Sequence, residues 1–104
     1  MTDKFKTNQP LPTEHEREIL HILIEEAAEV QQRATKLLRF GALEVQSGQE
    51  LTNTERLSME IGDLSCIVSR AIDLNLVKSD YIEKGWEHKE KQLAKYMQTT
   101  EDDK

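Results

Sequence analysis

The sequence predicts an all-α fold, a small bundle of three main helices. Apolar residues recur at helical spacing along three stretches, two capping boxes mark where helices begin, and strand-like alternation is absent throughout. A chain of 104 residues holds one domain with a modest core, and a three-helix unit of that size often gains stability by self-association. We therefore expect a bundle completed by oligomerisation.

The elements follow in order. Residues 1–12 are polar, contain Pro10 and Pro12, and read as a flexible arm. Thr13-Glu14-His15-Glu16 is a capping box, with Thr13 as N-cap and Glu16 reaching back. The first helix then runs from about Glu14 to about Arg39 through Ile19, Ile22, Leu23, Val30, Ala34 and Leu37, and Gly41 is its stop signal. Residues 41–51 form a loop. A second box, Thr52-Asn53-Thr54-Glu55, opens a helix that passes Leu57, Ile61, Leu64, Val68 and Ile72 to about Leu74, with Asn75 as punctuation. Ser79 or Asp80 is expected to cap the third helix, which runs to about Met97 through Ile82, Trp86 and Leu93. The single domain thus spans 13–97, and 98–104 is a frayed tail.

Composition narrows the function. The net charge of −6 argues against nucleic acid as the main partner, because that binding needs clustered Lys and Arg. A nucleotide remains compatible, since a bound metal can carry the local positive charge. Cys66 is the only cysteine, which excludes an intrachain disulfide and suits a reducing, cytoplasmic setting. Its mid-helix position suggests a small buried side chain rather than a nucleophile. No apolar run reaches the ~18 residues of a membrane span, and no signal-peptide pattern is seen, so no membrane partner is expected.

Two acidic motifs carry the functional argument: Glu26-Ala-Ala-Glu29 and Glu60-Ile-Gly-Asp63. Each sets two carboxylates three residues apart, on neighbouring turns of a helix. With Ile19 as reference, Glu26 lies roughly 20° away on the buried stripe, Glu29 roughly 80° and Glu25 roughly 120° away. With Leu57 as reference, Glu60 lies roughly 60° and Asp63 roughly 120° away. Packing the two helices on these margins gathers four carboxylates around one cleft. Buried acids are costly unless compensated, and an all-oxygen donor set suits Mg²⁺. The structural alternative is that these acids are surface charges or pair with Arg33, Arg56 or Arg70. Gly62 costs about 1 kcal/mol relative to Ala in mid-helix, which points to a ligand or to a close helix crossing beside it.

The two motifs, with Glu25-Glu26-Ala27-Ala28-Glu29-Val30 and Leu57-Ser58-Met59-Glu60-Ile61-Gly62-Asp63-Leu64 around them, resemble the MazG-like nucleoside triphosphate pyrophosphohydrolases. That superfamily also includes dimeric dUTPases and phosphoribosyl-ATP pyrophosphohydrolases. The stretch Lys36-Leu37-Leu38-Arg39-Phe40-Gly41 is similar to one in its small phage and bacterial members. The resemblance covers about Glu14 to Tyr96. It implies an α-helical bundle of four-helix type and Mg²⁺, with Mn²⁺ as a substitute; separately, three helices leave Leu20, Leu38, Leu74 and Met59 uncovered, so a homodimer or homotetramer is expected. It implies cleavage of a ribo- or deoxyribonucleoside triphosphate to the monophosphate and pyrophosphate. Glu26, Glu29, Glu60 and Asp63 match the metal-binding acids, with Glu26 and Glu29 as the catalytic pair and Glu26 as general base or bridging ligand. The gap between Glu29 and Glu60 slightly exceeds the usual one, which implies a longer loop after Gly41.

Other residues are weaker candidates. Lys36, Lys84, Lys91 and Lys95 are expected to meet the substrate phosphates, with Arg33 and Arg39 behind them. Asn53 is a cap or reaches a base or ribose from the loop. Phe40 and Trp86 can stack on a base, although core packing is the commoner fate of a lone aromatic. His15, His21 and His88 lack metal-ligand spacing, and the Glu-x-x-His pattern of di-iron bundles is absent. The competing functional reading is a non-catalytic helical interaction module or a nucleotide-binding regulatory module.

Overall fold

A computed structural model describes residues 11–101 of the chain. Most of the expected arm, and residues 102–104 of the expected tail, lie outside the described residues. Three helices account for the regular structure: α1 (Glu14–Phe40), α2 (Asn53–Asp73) and α3 (Ser79–Tyr96). No strand occurs among the described residues; Val45 and Thr52 form one isolated antiparallel bridge.

The helix starts are built as the local sequence dictates. In α1 the Thr13 hydroxyl accepts from the Glu16 N–H at 3.1 Å, and the Glu16 carboxylate accepts from the Thr13 N–H at 2.8 Å. In α2 the equivalent bonds join Thr52 and Glu55 at 3.1 and 2.9 Å. Each box satisfies donors that a helix start otherwise leaves without partners. Gly41 ends α1 at φ 90°, ψ 162°, a conformation closed to residues with a Cβ. Asn75, at φ 58°, turns the chain out of α2. The start of α3 differs from expectation. Lys78 holds the N-cap position with no side-chain cap bond, and Asp80 accepts only from the N–H of Tyr81, at 3.0 Å. Neither Ser79 nor Asp80 precedes the first helical turn, so neither can cap it.

α1 and α2 pack side by side as an antiparallel hairpin, and α3 makes at most a marginal contact with either. The core is correspondingly small. Ile19, Ile67 and Ala71 are buried, with Ile22, Leu23, Leu64, Leu74, Leu76 and Val77 packed against them. It occupies the end of the hairpin where α1 starts and α2 finishes. The radius of gyration is 18.5 Å, against ~13 Å for a compact chain of this length. Extents of 58 × 39 × 28 Å show the same elongation.

Candidate metal centre

The seam between α1 and α2 repeats every seven residues, the spacing at which a helix presents one face to an antiparallel neighbour. Ile19, Glu26 and Arg33 follow one another on α1; Asn53, Glu60 and Ile67 do so on α2. Ile19 and Ile67 share the core. One heptad along, Glu26 and Glu60 meet. One heptad further, the same register brings Arg33 level with Asn53. An acidic layer therefore sits between an apolar layer and a polar one.

Glu26, Glu60 and Asp63 each present a carboxylate oxygen within 4.8 Å of the other two. Glu26 and Glu60 are half-buried and Asp63 is exposed, so the group opens to solvent on the Asp63 side. Glu29 stands outside this set, on the exposed face of α1, although its charge is felt at Glu60. Burial raises the Glu60 pKa above its ordinary value; a hydrogen bond with the Glu26 carboxyl and the charges of Glu26, Asp63 and Glu29 raise it further. One Glu60 oxygen, Oε2, is buried with no hydrogen-bond partner. Leaving such an oxygen unsatisfied costs about 1–3 kcal/mol.

Among the described residues nothing basic neutralises the cluster. The one contact at ion-pair distance among them is His15 with Glu18, at 4.0 Å on the first turns of α1, and it is an ion pair only when the imidazole is protonated. Arg33 is only 9% exposed, yet its Nη1 has no hydrogen-bond partner and no acid lies within ion-pair distance. Arg56 donates to Gln46 Oε1 at 2.7 Å, tying the loop to α2. Arg70 lies on the wall of a separate pocket with His15, Cys66 and Asp73. The alternative pairing of the acids with Arg33, Arg56 or Arg70 is therefore absent among the described residues.

The lysines proposed for phosphate do not gather here. Lys36 lies 5.6 Å from the centre of the Phe40 ring, and Arg39 lies 4.9 Å from it. Ten residues separate Lys36 from Glu26, roughly 15 Å of helix. Lys84 lies over Tyr81 at 4.6 Å and Lys95 over Tyr96 at 5.3 Å. Lys91 and Lys95 line a shallow pocket with His88, Gln92 and Tyr96. All of α3 is exposed, so within one chain its lysines form a surface of their own.

One further expectation is corrected and two open alternatives are narrowed. Cys66 is exposed rather than buried, because it stands on the open wall of a pocket at the edge of the small core, with Ile19 and Ile67. Phe40 and Trp86 are exposed too, since the core does not extend to either. A Cβ at Gly62 would meet nothing within 4 Å, so no helix of this chain crosses there. Instead Gly62 lies in an open groove with Leu51, Glu55, Ser58, Met59 and Asp63. No local pattern marked Ser58 or Glu55 for that wall, because the groove exists only once the loop folds back beside α2.

No family model, curated protein or solved structure matches this chain. No helix among the described residues is long and apolar enough to cross a membrane.

Proposed function

We propose that this chain is a divalent-cation-dependent pyrophosphohydrolase that cleaves a nucleoside triphosphate to the monophosphate and pyrophosphate. The observation that carries the reading is the three-carboxylate group of Glu26, Glu60 and Asp63, drawn from two helices, with no basic partner among the described residues and with a buried Glu60 oxygen left unsatisfied. An all-oxygen donor set of this kind fits Mg²⁺, with Mn²⁺ as a substitute. Glu26, Glu60 and Asp63 would hold the cation, and Glu29 stands beside them. When bound, it supplies neutralisation of phosphate charge and a water of lowered pKa. Glu26 or Glu29 accepts the proton of the attacking water, which is the work a nearby carboxylate does in such chemistry. The resemblance of the two acidic motifs to MazG-like enzymes supports the same reaction.

The test is pyrophosphate release from a panel of ribo- and deoxyribonucleoside triphosphates, with Mg²⁺ and with EDTA. We expect EDTA-sensitive release with monophosphate as co-product. Absence of turnover on every member would overturn the reading.

The reading includes a homodimer or homotetramer of MazG-like type. α3 is 18 residues long with no buried side chain, and it exposes Tyr81, Ile82, Trp86, Leu93 and Tyr96. Most helical stability comes from packing an apolar face, so such a helix calls for a partner. Leu38 and Ile24 offer matching exposed apolar surface on α1. An oligomer also gives the α3 lysines a route to an acidic group that lacks cations of its own. Light scattering is expected to report at least a dimer, with Trp86→Ala weakening association at least tenfold. A monomeric wild-type chain would contradict this and favour the second reading, a helical module whose α3 face engages a different protein.

A further inference from the structure

The groove beside the acidic group carries a prediction of base preference. It has a volume of ≈ 550 Å³, within the range of small-molecule sites, and is lined by Leu51, Glu55, Ser58, Met59, Gly62 and Asp63. Asp63 belongs both to this groove and to the acidic group, so the two are continuous. Gly62 leaves its floor open, and Leu51 and Met59 give it apolar walls.

The polar atoms that line it share one property: they accept. The Ser58 hydroxyl spends its proton on the Thr54 carbonyl at 2.7 Å, which leaves only lone pairs. Glu55 Oε1 takes both the N–H and the hydroxyl of Thr52, at 2.9 and 3.1 Å, and Oε2 has no partner among the described residues. Those bonds also hold the Glu55 pKa below its ordinary value, so it stays charged. The start of α2, which would otherwise donate, is spent. The N–H groups of Asn53, Thr54, Glu55 and Arg56 go to Glu44 O, Ala42 O, Thr52 Oγ1 and Thr52 O. Among the described residues no lysine or arginine lines the groove.

We infer that this groove receives the nucleoside of the substrate and selects bases bearing an exocyclic amino group over uracil and thymine. The inference rests on the proposed reaction for the placement of the phosphates. Cytosine, adenine and guanine bring an amino group with two N–H donors to Glu55 and Ser58; uracil and thymine bring a single ring N–H flanked by two carbonyl oxygens, which those acceptors repel.

Two measurements test it. The first follows backbone amide shifts of the full chain as cytidine or uridine alone is added. Cytidine is expected to shift residues 51–63 and to bind at least tenfold more tightly than uridine, with Gly62→Leu abolishing the shifts. The second compares kcat/KM for CTP and UTP, where Ser58→Ala is expected to narrow a tenfold preference. If neither nucleoside shifts the groove, or both bind alike, the inference fails whatever the turnover. If Gly62→Leu instead changes only the oligomeric state, a second copy covers the groove and the inference also fails. Selective cytidine binding without turnover on any triphosphate would uphold the groove and overturn the proposed reaction.

Discussion

Glu60→Gln is expected to abolish metal-dependent turnover, by on the order of 10²-fold or more, while making the metal-free protein more stable. The two effects have one cause. Glu60 is a half-buried carboxyl beside Glu26, with Asp63 and Glu29 adding like charge, and its pKa lies above the ordinary 4.5. Below 4.5 both the folded and unfolded chains hold the proton. Between that value and the raised folded one, the folded chain holds more protons than the unfolded chain, so stability falls as pH rises through that window. Above it the penalty is complete. Glutamine keeps the shape, lacks the charge and escapes the penalty.

The expected gain at neutral pH is on the order of 1 kcal/mol, or ~4–8 °C in the thermal midpoint of a domain this size. Differential scanning calorimetry in EDTA, at pH 7 and again near pH 4, measures it; the gap between variant and wild type should close at acid pH. Saturating Mg²⁺ should then reverse the order. Ligand at a hundred times its Kd stabilises the wild type by ~2.7 kcal/mol, and the variant has lost a carboxylate donor. A metal-free variant less stable than wild type would mean that the Glu60 carboxylate is satisfied. Unchanged turnover would remove Glu60 from the site.

What could be read from the chain divides along a physical line. The helix ends fall within about a residue of expectation because their signals are local: the Thr13–Glu16 and Thr52–Glu55 boxes, Gly41, and Asn75. The meeting of Glu26 with Glu60 also follows from local rotation, since each lies on the apolar face of its helix and the hairpin has one face to bury. Glu29 and Asp63 both lie at the stripe margins. Only Asp63 joins the group, because a side chain at the margin meets the neighbouring helix or misses it according to tertiary packing. Within one chain the lysines meet the same limit. Lys84, Lys91 and Lys95 follow the acids along the chain, but α3 does not return to the α1–α2 hairpin, and nothing in its 18 residues encodes that. Cys66 fails for a related reason. A mid-helix cysteine reads as buried when both sides of the helix are covered, and here one side is open.

Asn53→Ala is expected to cost about 2 kcal/mol, a large share of what a small domain has to lose. At 1% exposure Asn53 is more buried than any core aliphatic except Ala71, and it is not the helix cap its position suggested. Its Nδ2 donates to the Gly41 carbonyl at 2.9 Å and to Glu44 Oε1 at 3.0 Å, while its main-chain N–H donates to Glu44 O at 3.0 Å. One side chain thus fastens both the exit of α1 and the middle of the loop to the start of α2. Alanine leaves Gly41 O and a Glu44 oxygen without these donors. It also removes Oδ1, which is buried without a partner, and that relief keeps the loss near the lower end of the range for a broken buried network. Asn53→Asp separates the contributions. It keeps the volume but sets a carboxylate against Glu44, so it should cost more than alanine at pH 7 and less at acid pH. Urea unfolding at both pH values measures the order. Hydrogen exchange locates the damage: Asn53 and Thr54 lose protection, because both donate into the loop. The groove walls Leu51, Glu55 and Ser58 lie within five residues of Asn53 and should loosen with it, whereas Glu60, two turns along α2 and packed on α1, should retain its metal. If alanine is neutral and those amides keep their protection, the loop is held by the Arg56–Gln46 bond and the Val45–Thr52 bridge instead.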